Sequence, residues 1–155
     1  MISQTAEYAL RAVSFLAAHP QSPHTTAQIA KQTRVPSGYL AKVMQSLGRA
    51  GLVRSQRGVQ GGFVLSADPR EINLLQVVSA VEPSRRLKSC PLGRPEHIKL
   101  CPLHRRLDDA AALIEDAFRK TTILEVIDNP DRPSGRCPFP NVPLTNGSPS
   151  KEQVY

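Results

Sequence analysis

The sequence predicts a mainly α fold, a winged helix-turn-helix with a small β-hairpin wing and a long dimerisation helix, from three observations. Two helix signals stand on either side of the dipeptide Val35-Pro36. They are followed by two short apolar runs that flank a basic, glycine-bearing tip, Gln56-Arg57-Gly58-Val59-Gln60-Gly61-Gly62. Further on, Leu103, Leu107, Ala110, Ile114, Ala117, Thr121 and Leu124 recur at alternating intervals of four and three, the spacing of a heptad seam.

The elements follow in order. Residues 4–18 read as a first helix with Ala6, Leu10, Val13, Leu16 and Ala17 on one stripe and Pro20 closing it; Glu7 and Arg11, one turn apart, pair on its surface. Thr25 and Gln28 have capping-box spacing, which starts a second helix at Thr26 with Ile29, Ala30 and Thr33 turned inward. Pro36 lacks a backbone donor and biases Val35 away from helix, so Val35 to Ser37 makes the turn and Ser37 is available to cap a third helix running to about Ala50. Leu40, Val43, Met44 and Leu47 share its inner face, leaving Tyr39, Lys42, Gln45, Ser46 and Arg49 opposite. Gly51 stops this helix, and residues 52–55 and 63–66 read as paired strands around the tip.

Asn73 and Gln76 give a second cap, opening a short apolar helix of Leu74, Leu75, Val77, Val78 and Val81 that covers the core and ends at Pro83. Residues 84–99, basic and broken by proline and glycine, are a loop by elimination. The long seam helix ends near Lys120, and Thr122 with Glu125 caps a short one after it. The last 27 residues hold six of the fourteen prolines and no apolar period, so disorder is expected there. The organisation is thus a winged helix over 1–83, a cysteine-containing sensor loop over 84–101, a dimerisation segment over 102–128 and a tail over 129–155.

A chain of 155 residues with 40% apolar side chains supports one small core. Its formal charge of +7 is concentrated: residues 1–70 carry eight Lys or Arg against two acids, whereas the rest is nearly balanced. A basic winged helix attracts polyanions, and the order helix, turn, helix, wing selects duplex DNA among them. Thr26, Ser37, Tyr39, Lys42, Gln45, Arg49, Arg54, Arg57 and Gly58 are the candidate DNA contacts. The seam on 103–124 needs a partner, and a second copy of the chain is expected through Leu107, Ile114 and Phe118. No nucleophile-base pair, phosphate loop or dinucleotide fingerprint is present, which argues against an enzyme. With no export-like segment, no apolar run of membrane-spanning length and an odd count of three cysteines, a reducing cytoplasm is expected.

Cys90 and Cys101 each open a Cys-Pro-Leu triplet, and Cys101 begins Cys-x-x-His104. Two thiols and an imidazole suit a soft or borderline metal. The same residues also allow a thiol switch closing a Cys90–Cys101 disulfide, haem bound through a Cys-Pro thiolate, or inert thiols.

Tyr39-Leu40, the Gly51-Leu52-Val53 exit and above all Arg57-Gly58-x-x-Gly61-Gly62-Phe63 resemble the family of bacterial repressors that includes the iron-sulfur assembly regulator IscR and the nitric oxide sensor NsrR, over about Ser3 to Ile127. The resemblance implies a homodimer and, in the cysteine loop, an iron-sulfur cluster, [2Fe-2S] in the first instance. Cys90, Cys101 and His104 match the outer ligand positions, while Pro95, Glu96 and His97 stand where a middle cysteine falls. Some relatives complete their cluster with a carboxylate from the first helix of the other subunit, and Glu7 falls at that position, so two of His104, Glu7, Glu96 and His97 are expected to complete the set with the two cysteines. Ala41 replaces a glutamate of relatives on the recognition helix, which implies a different target sequence; Cys137 has no counterpart.

Overall fold

The computed structural model describes residues 2–83, 86–91 and 99–128. The expected disorder of 129–155, together with Pro95, Glu96, His97 and Cys137, lies outside the described residues.

Helix α1 (Gln4–Ala18) starts where Ser3 Oγ accepts the Ala6 N–H, at 3.1 Å. Ala6, Ala9 and Ala12 on its inner face are fully buried, and side chains this small let other helices approach the backbone closely. Helix α2 (Thr26–Thr33) has the expected reciprocal capping box of Thr25 and Gln28. It ends on Arg34 in the left-handed region, φ 55°. Helix α3 (Ser37–Arg49) buries Leu40, Val43, Met44 and Leu47, the four residues its period singles out. Truncating one such residue, Leu47→Ala, is expected to cost about 2–5 kcal/mol.

Strands β1 (Val53–Gln56) and β2 (Gly62–Leu65) form an antiparallel hairpin in the register Val53↔Leu65 to Gln56↔Gly62. Helix α4 (Leu74–Ser79) opens with the Asn73–Gln76 capping box and buries Val77 and Val78. Helix α5 (Pro102–Lys120) is the long one, and α6 (Ile123–Ile127) follows its own capping box of Thr122 and Glu125. The core gathers α1, α2, α3, Val53, Ile72, Val77 and Ile123 into one cluster.

Four details differ from the sequence reading. The N-cap of α3 is Pro36, and Ser37 is already its first helical residue, without a side-chain cap. Pro36, with φ near −56°, sets the helix entry by ring geometry instead. The turn accordingly begins one residue earlier, at Arg34. The strands pair over 53–56 and 62–65 because Gln56 takes Gly62 as its partner, which shortens the tip to 57–61. Helix α4 stops at Ser79, well before Pro83. Finally, the heptad count runs past a break: Thr121 is extended (φ −100°, ψ 121°), and Ile123 then turns back into the winged-helix core, fully buried. The return is pinned by Ile123 N–H to Ile72 C=O at 2.8 Å and Leu74 N–H to Thr121 C=O at 3.0 Å.

Candidate functional site

The candidate DNA contacts are carried by α2, α3 and the hairpin. Because Leu40, Val43, Met44 and Leu47 take the core side of α3, Tyr39, Lys42, Gln45 and Arg49 emerge together on the solvent side. Tyr39 is 61% exposed although large and aromatic, held edge-on to Tyr8 with ring centroids 6.4 Å apart. Thr26 is half-buried at the start of α2, and Ser37 is exposed at the start of α3. Arg54 on β1 and Arg57 and Gly58 at the tip are exposed, with Gly58 at φ 126°, a conformation only glycine adopts freely. Val59 beside them is fully exposed.

Sequence reasoning missed how the wing is tied down. His24, just before α2, forms a bridge with Phe63 of β2: His24 N–H donates to Phe63 C=O at 3.1 Å and Phe63 N–H to His24 C=O at 2.8 Å. The His24 ring lies edge-on to Phe15 and within 3.3 Å of the His19 carbonyl, while His19 stacks on Phe15. Burial pushes the His24 pKa below its ordinary value; the bond to the His19 carbonyl opposes this, and repulsion from His19 adds to it. A folded-state pKa below the unfolded value means that the unfolded chain takes up more protons. Stability is therefore present above about pH 6.5 and lost as pH falls through the folded value. Thermal unfolding followed between pH 7.5 and 5.5 should show the decline, and His24→Phe should flatten it. An equal decline in the variant would place the titration elsewhere.

A second missed contact concerns the turn. Arg11 pairs with Glu7 as expected, and its guanidinium also donates to the carbonyl of Thr33 at the end of α2, at 3.4 Å. Arg34, exposed at the turn itself, adds a cation to this face that the sequence reading passed over.

The cysteine centre is assembled from two segments. Cys101 is the N-cap of α5, and His104 stands one turn in, so both face the same end of the helix. Cys90 arrives from the other side and is buried. His104 Nδ1 is 3.6 Å from Cys90 Sγ and 3.1 Å from Cys101 Sγ, and the three donor atoms all lie within 4.8 Å of one another. Cys90 and Cys101 are not joined by a disulfide. The approach of Cys90 is fixed by Asp108, one turn beyond His104. Its carboxylate accepts Arg86 Nε and Nη2 at 2.7 and 2.8 Å and the Leu87 N–H at 2.9 Å. The Arg86 guanidinium, and then the Leu87 N–H, hold the Asp108 carboxyl down at about 2, so this clamp stays charged throughout the neutral range. Among the described residues Glu7 is outside the Cys/His group of its own chain.

The seam of α5 is covered only in part. None of its residues is buried, and Leu103 and Leu107 are 64% and 54% exposed. Ile114 and Phe118 are half-buried against a cavity of about 370 Å³ that α5 forms with Leu75, Val78 and Pro83 near α4. Among the described residues no helix is long and apolar enough to cross a membrane.

Comparisons with known proteins agree with this architecture. The Rrf2 family profile, described as "Iron-dependent Transcriptional regulator", matches residues 2–129. A protein of Aquifex aeolicus (strain VF5), named as an HTH-type transcriptional regulator, is 30% identical over 131 residues, covering 82% of this chain and 91% of its own. The HTH-type transcriptional regulator NsrR of Shouchella clausii is 29% identical over 130 residues, covering 81% of this chain and 87% of its own. In fold, the solved structure of T. potens IscR superposes with a TM-score of 0.69 at 24% identity, over 83% of this chain and 86% of that one. With a helix-turn-helix, a basic wing and a family match running almost from end to end of the described residues, the chain belongs to the Rrf2 family of DNA-binding transcriptional regulators and is not an enzyme.

Proposed function

We propose that this regulator is a homodimeric repressor whose affinity for a palindromic operator is set by a redox-responsive centre at Cys90, Cys101 and His104. The observation that carries the reading is the position of that centre: it sits at the N-terminus of α5, the helix whose apolar seam is exposed, so a change at the sulfurs bears directly on the element expected to pair two copies. Tyr39, Lys42 and Gln45 face the major groove, with Thr26, Ser37 and Arg49 on flanking phosphates, while Arg54, Arg57 and the Gly58 backbone serve the wing's contact. Half-sites lie one or two helical turns apart, as two-fold symmetry requires.

The donors suit iron. Two thiols and an imidazole, already convergent, are the ligand chemistry of iron-sulfur centres. Cys90, Cys101 and His104 would supply three ligands of a cluster of [2Fe-2S] type, and Glu7 of the second copy the fourth. When bound, such a cluster supplies an oxidisable, nitric oxide-reactive group. The residues of the chain do the rest: Asp108 and Arg86 keep Cys90 against α5, and Glu7, released or held, remains in reach of Arg11 and thereby of the Thr33 carbonyl at the reading-head turn. The nearness of the two sulfurs favours a second reading, a Cys90–Cys101 disulfide formed on oxidation.

Operator selected from random DNA tests the interface. Lys42→Ala and Arg57→Ala should each weaken binding and reduce the slope of log affinity against log salt by about one unit per lost phosphate contact. Affinity and slope unchanged in both variants would refute the assignment. For the centre, operator affinity is measured before and after anaerobic reconstitution with iron and sulfide, and after oxidation; identical affinity in all three states would end the sensor reading.

A further inference from the structure

The three donors of the cysteine centre lie within 4.8 Å of one another. In a tetrahedral site with metal–sulfur bonds of about 2.3 Å and metal–nitrogen bonds of about 2.0–2.1 Å, neighbouring donors stand about 3.5–3.8 Å apart. His104 Nδ1 is at 3.6 Å from Cys90 Sγ, which is that edge, and at 3.1 Å from Cys101 Sγ, just inside it. One nitrogen this close to both sulfurs, with all three donors within 4.8 Å of one another, suits three ligands on one ion. A two-iron cluster divides its protein ligands between two irons, so His104 would share an iron with only one thiol and the other would have to withdraw.

The arrangement is also held in place. Cys101 and His104 are fixed by the first turn of α5. Cys90 is 6% exposed, and the segment leading to it is fastened to the same helix by the Arg86 and Leu87 bonds to Asp108. An ion entering here meets donors that need little reorganisation.

We propose that Cys90, Cys101 and His104 bind a single divalent ion of the zinc or ferrous type in tetrahedral coordination, its fourth position taken by water or one further donor. The inference rests on the reading of this loop as the regulator's sensor and adds to it a mononuclear, sulfide-free form. Binding is a proton exchange with no change of oxidation state: the ion takes two thiolates and a neutral imidazole, and two thiol protons leave to buffer, about two per ion near neutral pH.

The test uses the full chain, reduced and metal-free, titrated anaerobically with Co2+ and then Zn2+. One Co2+ per chain should bind, with thiolate-to-cobalt charge transfer and the intense visible bands of tetrahedral cobalt, and Zn2+ should displace it. Calorimetry in buffers of different ionisation enthalpy should count about two protons released. Cys101→Ser should lose the charge-transfer intensity, and Asp108→Asn, which touches no metal, should keep the tetrahedral spectrum while weakening affinity by about tenfold. Only weak octahedral bands, or bands identical in Cys101→Ser, would overturn the proposal. So would uptake of metal solely when sulfide is supplied. Operator binding on the same samples separates the two claims. A tetrahedral complex with DNA affinity indifferent to metal and oxidant retires the sensor reading alone, whereas affinity that responds to oxidant in a chain without a Co2+ complex retires the mononuclear site alone.

Discussion

Replacing Leu107 and Ile114 together by aspartate is expected to leave a monomer that no longer binds a palindromic operator. Both lie on the heptad seam of α5, a helix that buries none of its own residues among those described, and Leu107 is 54% exposed. An exposed apolar seam of this length is costly in water and gains most by packing against its own symmetry mate. Two carboxylates placed there would be buried unpaired in the dimer, which costs several kcal/mol per interface. Each half of the operator alone binds one reading head weakly, so loss of pairing removes most of the affinity. Leu113 gives the control: it is 73% exposed but stands beside the seam, and Leu113→Asp should leave the assembly intact. Sedimentation and operator titration decide, with circular dichroism checking that the winged helix survives. A dimeric double variant, or a monomeric Leu113→Asp, would mean that another face of the chain makes the pair.

The helical half of the fold is legible because its signals are local. The capping boxes at Thr25, Asn73 and Thr122 each combine a side chain and a backbone group three residues apart, and all three form as spaced. The inner face of α3 follows from a period of 3.6 that nothing else in the fold overrides. Ser37 misled for a local reason too. Two start signals compete there, and the proline one residue earlier is the one used. What could not be read is what joins distant segments. The His24–Phe63 bridge spans 39 residues and is made by backbone atoms that carry no residue identity; only the glycine at 62 hints at a close approach. The Cys101–His104 pair is visible as a helical spacing, whereas the arrival of Cys90 depends on Arg86, in a segment without periodicity, meeting Asp108 on α5, 22 positions away.

Gly62→Ala should disable the wing far more than Gly58→Ala, although Gly58 has the more unusual backbone. A methyl at position 62 would lie 2.5 Å from the carbonyl carbon of His24, 2.6 Å from its oxygen and 2.7 Å from its nitrogen. These are backbone atoms, so no side chain can swing aside, and the bridge between His24 and Phe63 has to part. Two backbone hydrogen bonds worth about 1 kcal/mol each are then at risk, with overpacking adding about 1–3 kcal/mol. The hairpin would pivot from the start of α2, and Arg57 at its tip would no longer be aimed by the same base as Lys42 and Gln45. At Gly58 nothing lies within 4 Å, and the penalty of an alanine at φ 126° stays in the tip. Thermal unfolding and operator binding at several salt concentrations should therefore show Gly62→Ala with a lowered melting temperature, weaker binding and a salt slope reduced by about one unit, like that of Arg57→Ala. Gly58→Ala should melt closer to the parent. If Gly62→Ala matches the parent in melting temperature and affinity, the wing takes its orientation from contacts other than His24.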